Sequence, residues 1–145
     1  MLLAALLLAQ AATAPCTGTI DAALPVPLAG WTAPGSTVVL GKAALLDTAD
    51  PATLPIPAGS KPRAASVLFT VPQAGVYGIA LDQKGWIDVV PATGGDALKS
   101  VSHREGDPCW SIRKLVRFQL DAGAYRLTLT GLSGPKAKAM IEQGE

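Results

Sequence analysis

One short phrase occurs twice in this sequence, and it limits the folds open to the chain more than any other feature. Each copy is an alternating apolar and polar stretch, then Ala-Gly-x-Tyr, then a second alternating stretch. The glycine of each copy, Gly75 or Gly123, is expected to adopt a positive φ that ends one strand and turns the chain into the next. The tyrosine two residues later, Tyr77 or Tyr125, is expected to cover the core while its hydroxyl bonds back to the backbone of the corner.

This phrase resembles the tyrosine corner of Greek-key β-sandwiches, and the second copy, which begins with Asp121, matches it more closely. The rest of the chain is a series of short alternating segments separated by turns, and it holds 15 glycines and 12 prolines. We predict an all-β fold, a single antiparallel β-sandwich or jelly roll of about eight to nine strands. The predicted strands are 37–40, 43–46, 64–71, 77–81, 86–90, 97–101, 112–120, 125–130 and 137–141, with 16–20 as a short edge strand.

The first residues have the pattern of a secretory signal peptide. Residues 2–9 form a short apolar core, and a small-x-small cleavage site follows it, so we predict a signal peptide at 1–11, with cleavage as late as residue 14, and a β-sandwich domain at 12–145. The expected location is periplasmic or secreted. In such an oxidising compartment the two cysteines, Cys16 and Cys109, are expected to form one disulfide.

The charge balance excludes some classes of partner. The 12 basic and 11 acidic residues give a formal net charge of +1, which argues against nucleic acid and against an anionic membrane surface. No stable membrane span is expected once the signal is removed. Arg113, Lys114 and Arg117 form a basic group on one predicted strand, with Arg113 and Arg117 on the same face. This group either protects an edge strand or contacts an anion or an acidic partner.

The richest polar stretch is a predicted loop at 102–110. His103, Glu105 and Asp107 could together hold a metal ion, and Trp110 completes this candidate binding loop. The alternative is a polar loop held by Cys109, since the chain has a single histidine and catalytic zinc needs about three ligands and a water. We predict no cofactor.

No set of residues in the sequence is complete for catalysis. Ser100 and Ser102 flank His103, but neighbouring residues on a strand point in opposite directions, and no Gly-x-Ser-x-Gly is present. We therefore predict that the protein is not an enzyme.

The three tryptophans permit two interpretations. Trp31, Trp86 and Trp110 could form a face that stacks on sugar rings, as in a carbohydrate-binding module that uses Trp31 and Trp110, or the rings could be scaffold, with Trp110 covering the disulfide. Trp86 begins an apolar strand, so we expect it to pack in the core.

The repeated phrase also resembles exported bacterial β-sandwich domains of the pre-peptidase C-terminal type. The stretch from Trp86 to Lys114 is similar to small exported proteins that sometimes carry the label homogentisate dioxygenase, which the sequence does not support because the iron ligands are missing. The resemblance implies a non-catalytic accessory or binding domain, with an envelope protein or a glycan as the expected kind of partner.

Overall fold

Antiparallel strands dominate the architecture of this chain. The computed structural model describes residues 15–56 and 62–144, so the predicted signal peptide lies outside the described residues. The described part contains eight strands and two short 3-10 helices, Val26–Thr32 and Pro51–Thr53. The strands are β1 Ala44–Asp47, β2 Arg63–Val71, β3 Gly75–Leu81, β4 Trp86–Pro91, β5 Ser102–Glu105, β6 Lys114–Leu120, β7 Gly123–Leu132 and β8 Lys136–Gln143.

The strands form two sheets that pack face to face, which confirms the predicted β-sandwich. The large sheet has the order β1-β8-β3-β6-β5, and the small sheet has the order β2-β7-β4. Alternate residues of the two sheets face each other, as the sequence pattern predicts for half-buried strands. The larger side chains of this main core are Phe69, Val71, Tyr77, Ile79, Leu81, Ile87, Val89, Val116, Phe118, Leu120, Tyr125, Leu127, Leu129, Leu132 and Ile141.

The two corners carry the chain between the sheets. The Tyr77 hydroxyl donates a hydrogen bond of 2.8 Å to the carbonyl of Gln73, and the Tyr125 hydroxyl donates one of 2.8 Å to the carbonyl of Asp121. These two bonds confirm the predicted backward bond in both copies. Both tyrosine rings are also buried in the main core.

The two corner glycines differ in conformation. Gly123 has a φ of +150°, as expected, but Gly75 is not among the residues with positive φ, so that prediction is wrong. The first corner contains one more residue than the second, and residues 72–74 together reverse the chain before β3 begins. The longer turn removes the need for a left-handed residue.

A second apolar core lies on the outer face of the large sheet. An N-terminal arm, residues 15–34, covers this face with its 3-10 helix and with the fully buried Trp31. The central strands of the large sheet are therefore buried on both faces. The second core consists of Leu28, Trp31, Ala43, Ala80, Trp110, Ile112, Leu115 and Met140.

The predicted disulfide fixes this arm. Cys16 and Cys109 are bonded across a sequence separation of 93 residues, with their Cα atoms 4.8 Å apart. Polar contacts continue the attachment: the Ser111 hydroxyl accepts a hydrogen bond of 2.8 Å from the Trp31 indole, and it donates one of 2.5 Å to the Asp21 carboxylate. The arm is thus tied covalently at one point and by half-buried polar groups at another.

Three predicted strands are absent. Residues 97–101 cross from one sheet to the other. The Leu98 amide donates to the backbone carbonyl of Val89 in the small sheet, and the Val101 amide donates to the backbone carbonyl of Arg117 in the large sheet. Residues 37–40 lead into a tight turn around Gly41, whose φ is +78°. Residues 16–20 belong to the irregular arm. Within the described ranges, no helix is long and apolar enough to cross a membrane.

Candidate functional site

The predicted loop at 102–110 begins as an edge strand rather than a loop. Residues 102–105 form β5 at the border of the large sheet, where Glu105 lies opposite Lys114 of β6 and His103 lies opposite Val116. The side chains of His103 and Glu105 fall on the same face of the strand, two residues apart. All four residues of β5 are exposed to solvent.

A cleft of about 310 Å³ opens beside this strand. Its wall combines β5, the start of β6 and the turn between β3 and β4. Four of the residues that line the cleft are basic and one is acidic, in a chain whose net charge is only +1. The cleft therefore concentrates positive charge that the composition as a whole does not suggest. The lining residues are Lys84, Gly85, His103, Arg104, Glu105, Arg113 and Lys114.

Neutral groups hold three of the basic side chains in place. The Lys114 ammonium donates a hydrogen bond of 2.7 Å to the carbonyl of Gly85 and lies 4.9 Å from the centre of the Trp86 ring. The Arg113 guanidinium donates to the carbonyl of Trp110, and the Arg104 guanidinium lies 5.0 Å from the centre of the Trp110 ring. These contacts order the cations without neutralising them.

The basic side chains of the cleft have no carboxylate partner within ion-pair distance. Across residues 15–56 and 62–144, the ion pairs are Arg117 with Glu142 and Lys136 with Asp47, and neither lies in the cleft. Glu105 stands opposite Lys114 in the strand register, but the Lys114 ammonium is directed to the Gly85 carbonyl instead. Within the described ranges, no salt bridge therefore neutralises the basic residues of the cleft.

The structure does not assemble the predicted metal ligands. The Asp107 carboxylate accepts a hydrogen bond of 2.9 Å from the Cys109 amide and so shapes the turn that carries the disulfide. No group of three or more His, Cys, Asp or Glu side chains in the described part of the chain could hold a metal ion. His103 and Glu105 line the basic cleft, while Asp107 and Trp110 support it from the following loop.

The structure supports the scaffold interpretation for Trp31 and Trp110, whereas the prediction for Trp86 is wrong. Trp31 is completely buried and Trp110 is 9% exposed, because both belong to the second core, so neither offers a ring for sugar stacking. Trp86, which we expected in the core, is 71% exposed. It begins β4 on the outer face of the small sheet, and its alternation with buried Ile87 and Val89 places it outward.

The predicted basic group divides between two environments. Arg113 and Lys114 line the cleft, whereas Arg117 donates a hydrogen bond of 3.0 Å to buried Glu142 on the outer face of the large sheet. Burial raises the pKa of Glu142, although the Arg117 charge acts against that rise. Sequence reasoning missed Lys84 and Arg104, because only the order of β5, β6 and β3 brings them together.

Comparison with known proteins adds no family to this description: no protein-family model, curated protein or solved structure matches the chain.

Proposed function

We propose that this is an exported, non-catalytic binding or accessory protein that takes an anionic ligand in the cleft beside β5. The observation that carries the proposal is that four basic residues line one small cleft and none of them has an ion-paired carboxylate in the described part of the chain. A concave site lined by charge of one sign focuses the electrostatic field and raises the local concentration of oppositely charged ligands.

The geometry of the cations favours a compact anionic group such as a carboxylate, sulfate or phosphate. Arginine presents a planar set of donors that matches the oxygens of these groups, and Lys84 and Lys114 add point charges. Because Arg113 and Lys114 are already held by backbone carbonyls, less side-chain entropy is lost when a ligand binds.

Two features support a binding role without catalysis. The residues that line the cleft include no serine, threonine or cysteine that could act as a nucleophile beside His103, and Cys109 is engaged in the disulfide. The ammonium of Lys114, the residue opposite Glu105, donates to the Gly85 carbonyl and is not directed at Glu105, so the two side chains do not form an acid–base pair. The disulfide is itself compatible with a periplasmic or secreted protein.

The test is a titration with inorganic sulfate and inorganic phosphate, followed by NMR of the His103 ring and of the β5 amides. We expect saturable shifts at β5 that weaken as the concentration of sodium chloride rises. The double variant Lys84→Gln/Arg104→Gln should weaken binding by about a hundredfold or more, since two charge-assisted contacts are lost and each is worth roughly 1.5–3 kcal/mol.

A matched control is available at the opposite edge of the large sheet. Lys42 is an exposed lysine just before β1, and Lys42→Gln removes a positive charge without touching the cleft. An equal loss per removed charge in the two variants would reveal a non-specific charge effect and contradict the proposal. An absence of saturable shifts at β5 would contradict it as well.

A further inference from the structure

A second cavity, of about 490 Å³, lies on the outer face of the small sheet. Its polar lining comes from Asp88 on β4, Asp96 in the following turn, and Arg126 and Thr128 on β7. Its apolar lining includes Ile56 and Val90. Thr128 is only 4% exposed although it faces outward, so this cavity is a true recess in the face of the sheet.

Trp86 connects this cavity with the basic cleft. Trp86 and Asp88 point to the same side of β4, because they are two residues apart on one strand. On one side the Trp86 ring contacts the Lys114 ammonium of the cleft, and on the other side Asp88 lines the cavity. From Gly85, which lines the cleft, to Val90, which lines the cavity, the chain extends about 17 Å.

The groups along this span fit a saccharide. An exposed indole offers an apolar plane with a polar edge, which suits the C–H face of a sugar ring. The carboxylates of Asp88 and Asp96 can accept hydrogen bonds from sugar hydroxyl groups, and the Arg126 guanidinium can donate to the oxygens of those hydroxyl groups. The cavity therefore suits a ligand with many hydroxyls. Asp88 and Asp96 would repel an anionic group at this end, whereas the cleft attracts one at the other end.

We infer that the ligand is an acidic saccharide that spans both sites. Its acidic group occupies the basic cleft, one sugar ring stacks on Trp86, and neutral hydroxylated units enter the cavity beside Asp88 and Arg126. This inference rests on the proposed function, because the same cleft binds the acidic group. It adds the chemical class of the whole ligand and a second contact region.

Galacturonic acid oligosaccharides test it, since one backbone can be prepared fully acidic, partly methyl-esterified or fully esterified. We expect the partly esterified oligosaccharides to bind most tightly, because they combine acidic groups for the cleft with neutral units for the cavity. Calorimetry should give a tighter binding constant for them than for free galacturonate, which reaches only the cleft.

Variants on the small sheet separate the two regions. Trp86→Ala should weaken binding of the partly esterified oligosaccharide by about tenfold, and more than it weakens the titration with inorganic sulfate, since sulfate meets Trp86 only through Lys114; Trp86→Phe should restore part of the loss. Leu68→Ala is the matched control, because Leu68 is a large exposed apolar residue on the same face that does not line the cavity. It should bind like the wild type.

The outcomes distinguish this inference from the proposed function. If sulfate binds at β5 but the oligosaccharides bind no more tightly than galacturonate, or Trp86→Ala has no effect, the spanning ligand is wrong and the anion cleft stands. If the fully esterified oligosaccharide binds most tightly through Trp86, the acidic class is wrong. If sulfate and all three oligosaccharides fail to bind, both proposals are overturned.

Discussion

The side chains of Arg117 and Glu142 meet directly above Gly78. Gly78 lies on the central strand β3, and it is the register partner of Arg117 on one side and of Glu142 on the other. The two charged groups therefore reach across β3 and bond at 3.0 Å over a position that has no side chain. Glu142 is only 1% exposed, so the pair depends on this gap.

Filling the gap should destabilise the protein. A Cβ atom at Gly78 would lie 2.2 Å from Oε1 of Glu142 and 3.3 Å from Nη1 of Arg117, so Gly78→Ala must displace the ion pair. Overpacking alone costs about 1–3 kcal/mol, and loss of the pair adds to that figure. Urea unfolding measures the change. Gly18→Ala is the control, because nothing lies within 4 Å of the added atom, and equal stability of the two variants would contradict this account.

The stability contributed by Glu142 should depend on pH. Burial raises the pKa of Glu142 above its ordinary value of 4.5, so above that pH the folded protein binds more protons at this site than the unfolded chain does. The wild type should therefore lose free energy of unfolding as the pH rises from 4.5 through the raised pKa. Glu142→Gln should remove this dependence. Parallel profiles of unfolding free energy against pH for the two proteins would disprove it.

Removal of the disulfide should loosen the second core more than the main one. By chain entropy a closed loop of this length is worth about 4–5 kcal/mol, so Cys16→Ser/Cys109→Ser should be much less stable than the wild type. Trp31 and Trp110 should then report exposure to solvent by a red-shifted fluorescence, at a lower urea concentration than the loss of β-sheet circular dichroism. Coincident transitions in the variant would mean that the arm and the sandwich unfold as one unit.

The two corners should respond differently when a side chain is added at the corner glycine. Gly123→Val introduces a β-branched residue at a φ of +150° and should cost roughly 1–3 kcal/mol. Gly75→Ala should be nearly neutral, because its Cβ atom would meet Gln143 at an ordinary 3.5 Å and no positive φ is required. Thermal unfolding of both variants tests this contrast, and a large loss at Gly75 would contradict it.

The tyrosine hydroxyls should contribute equally at the two corners. Tyr77→Phe and Tyr125→Phe each remove one buried hydrogen bond of 2.8 Å to a carbonyl and should each cost about 0.5–1.5 kcal/mol. The free energy of unfolding in urea measures both losses. A cost in only one variant would mean that one of the two bonds contributes no stability.

The sandwich could be predicted from the sequence because its determinants are local. Alternation along β2 and β6, together with the two tyrosines, indicates strands that cross between sheets. The second core could not be predicted in this way. Burial of Trp31 and Trp110 depends on the docking of the arm against Leu115 and Met140, which are distant in sequence.

The candidate site could be predicted only in part. His103 and Glu105 belong to a polar stretch that stands out in the sequence, and both line the cleft. Lys84 and Arg104 join them only because β5 pairs with β6 and the turn after β3 reaches the same edge. Trp86 was misassigned because its apolar neighbours Ile87 and Val89 suggest a core position, whereas the strand alternation turns its own side chain outward.

The N-terminal arm also determines where this protein can be engineered. The arm covers the outer face of the large sheet and so completes the second core. The cleft and the outer face of the small sheet lie outside both cores. Substitutions at exposed positions such as Lys84, Trp86 and Asp88 should therefore leave the fold nearly unaffected while they alter what is bound. Libraries randomised at these positions would sample new ligand preferences on a frame that the disulfide and the two tyrosine bonds keep folded.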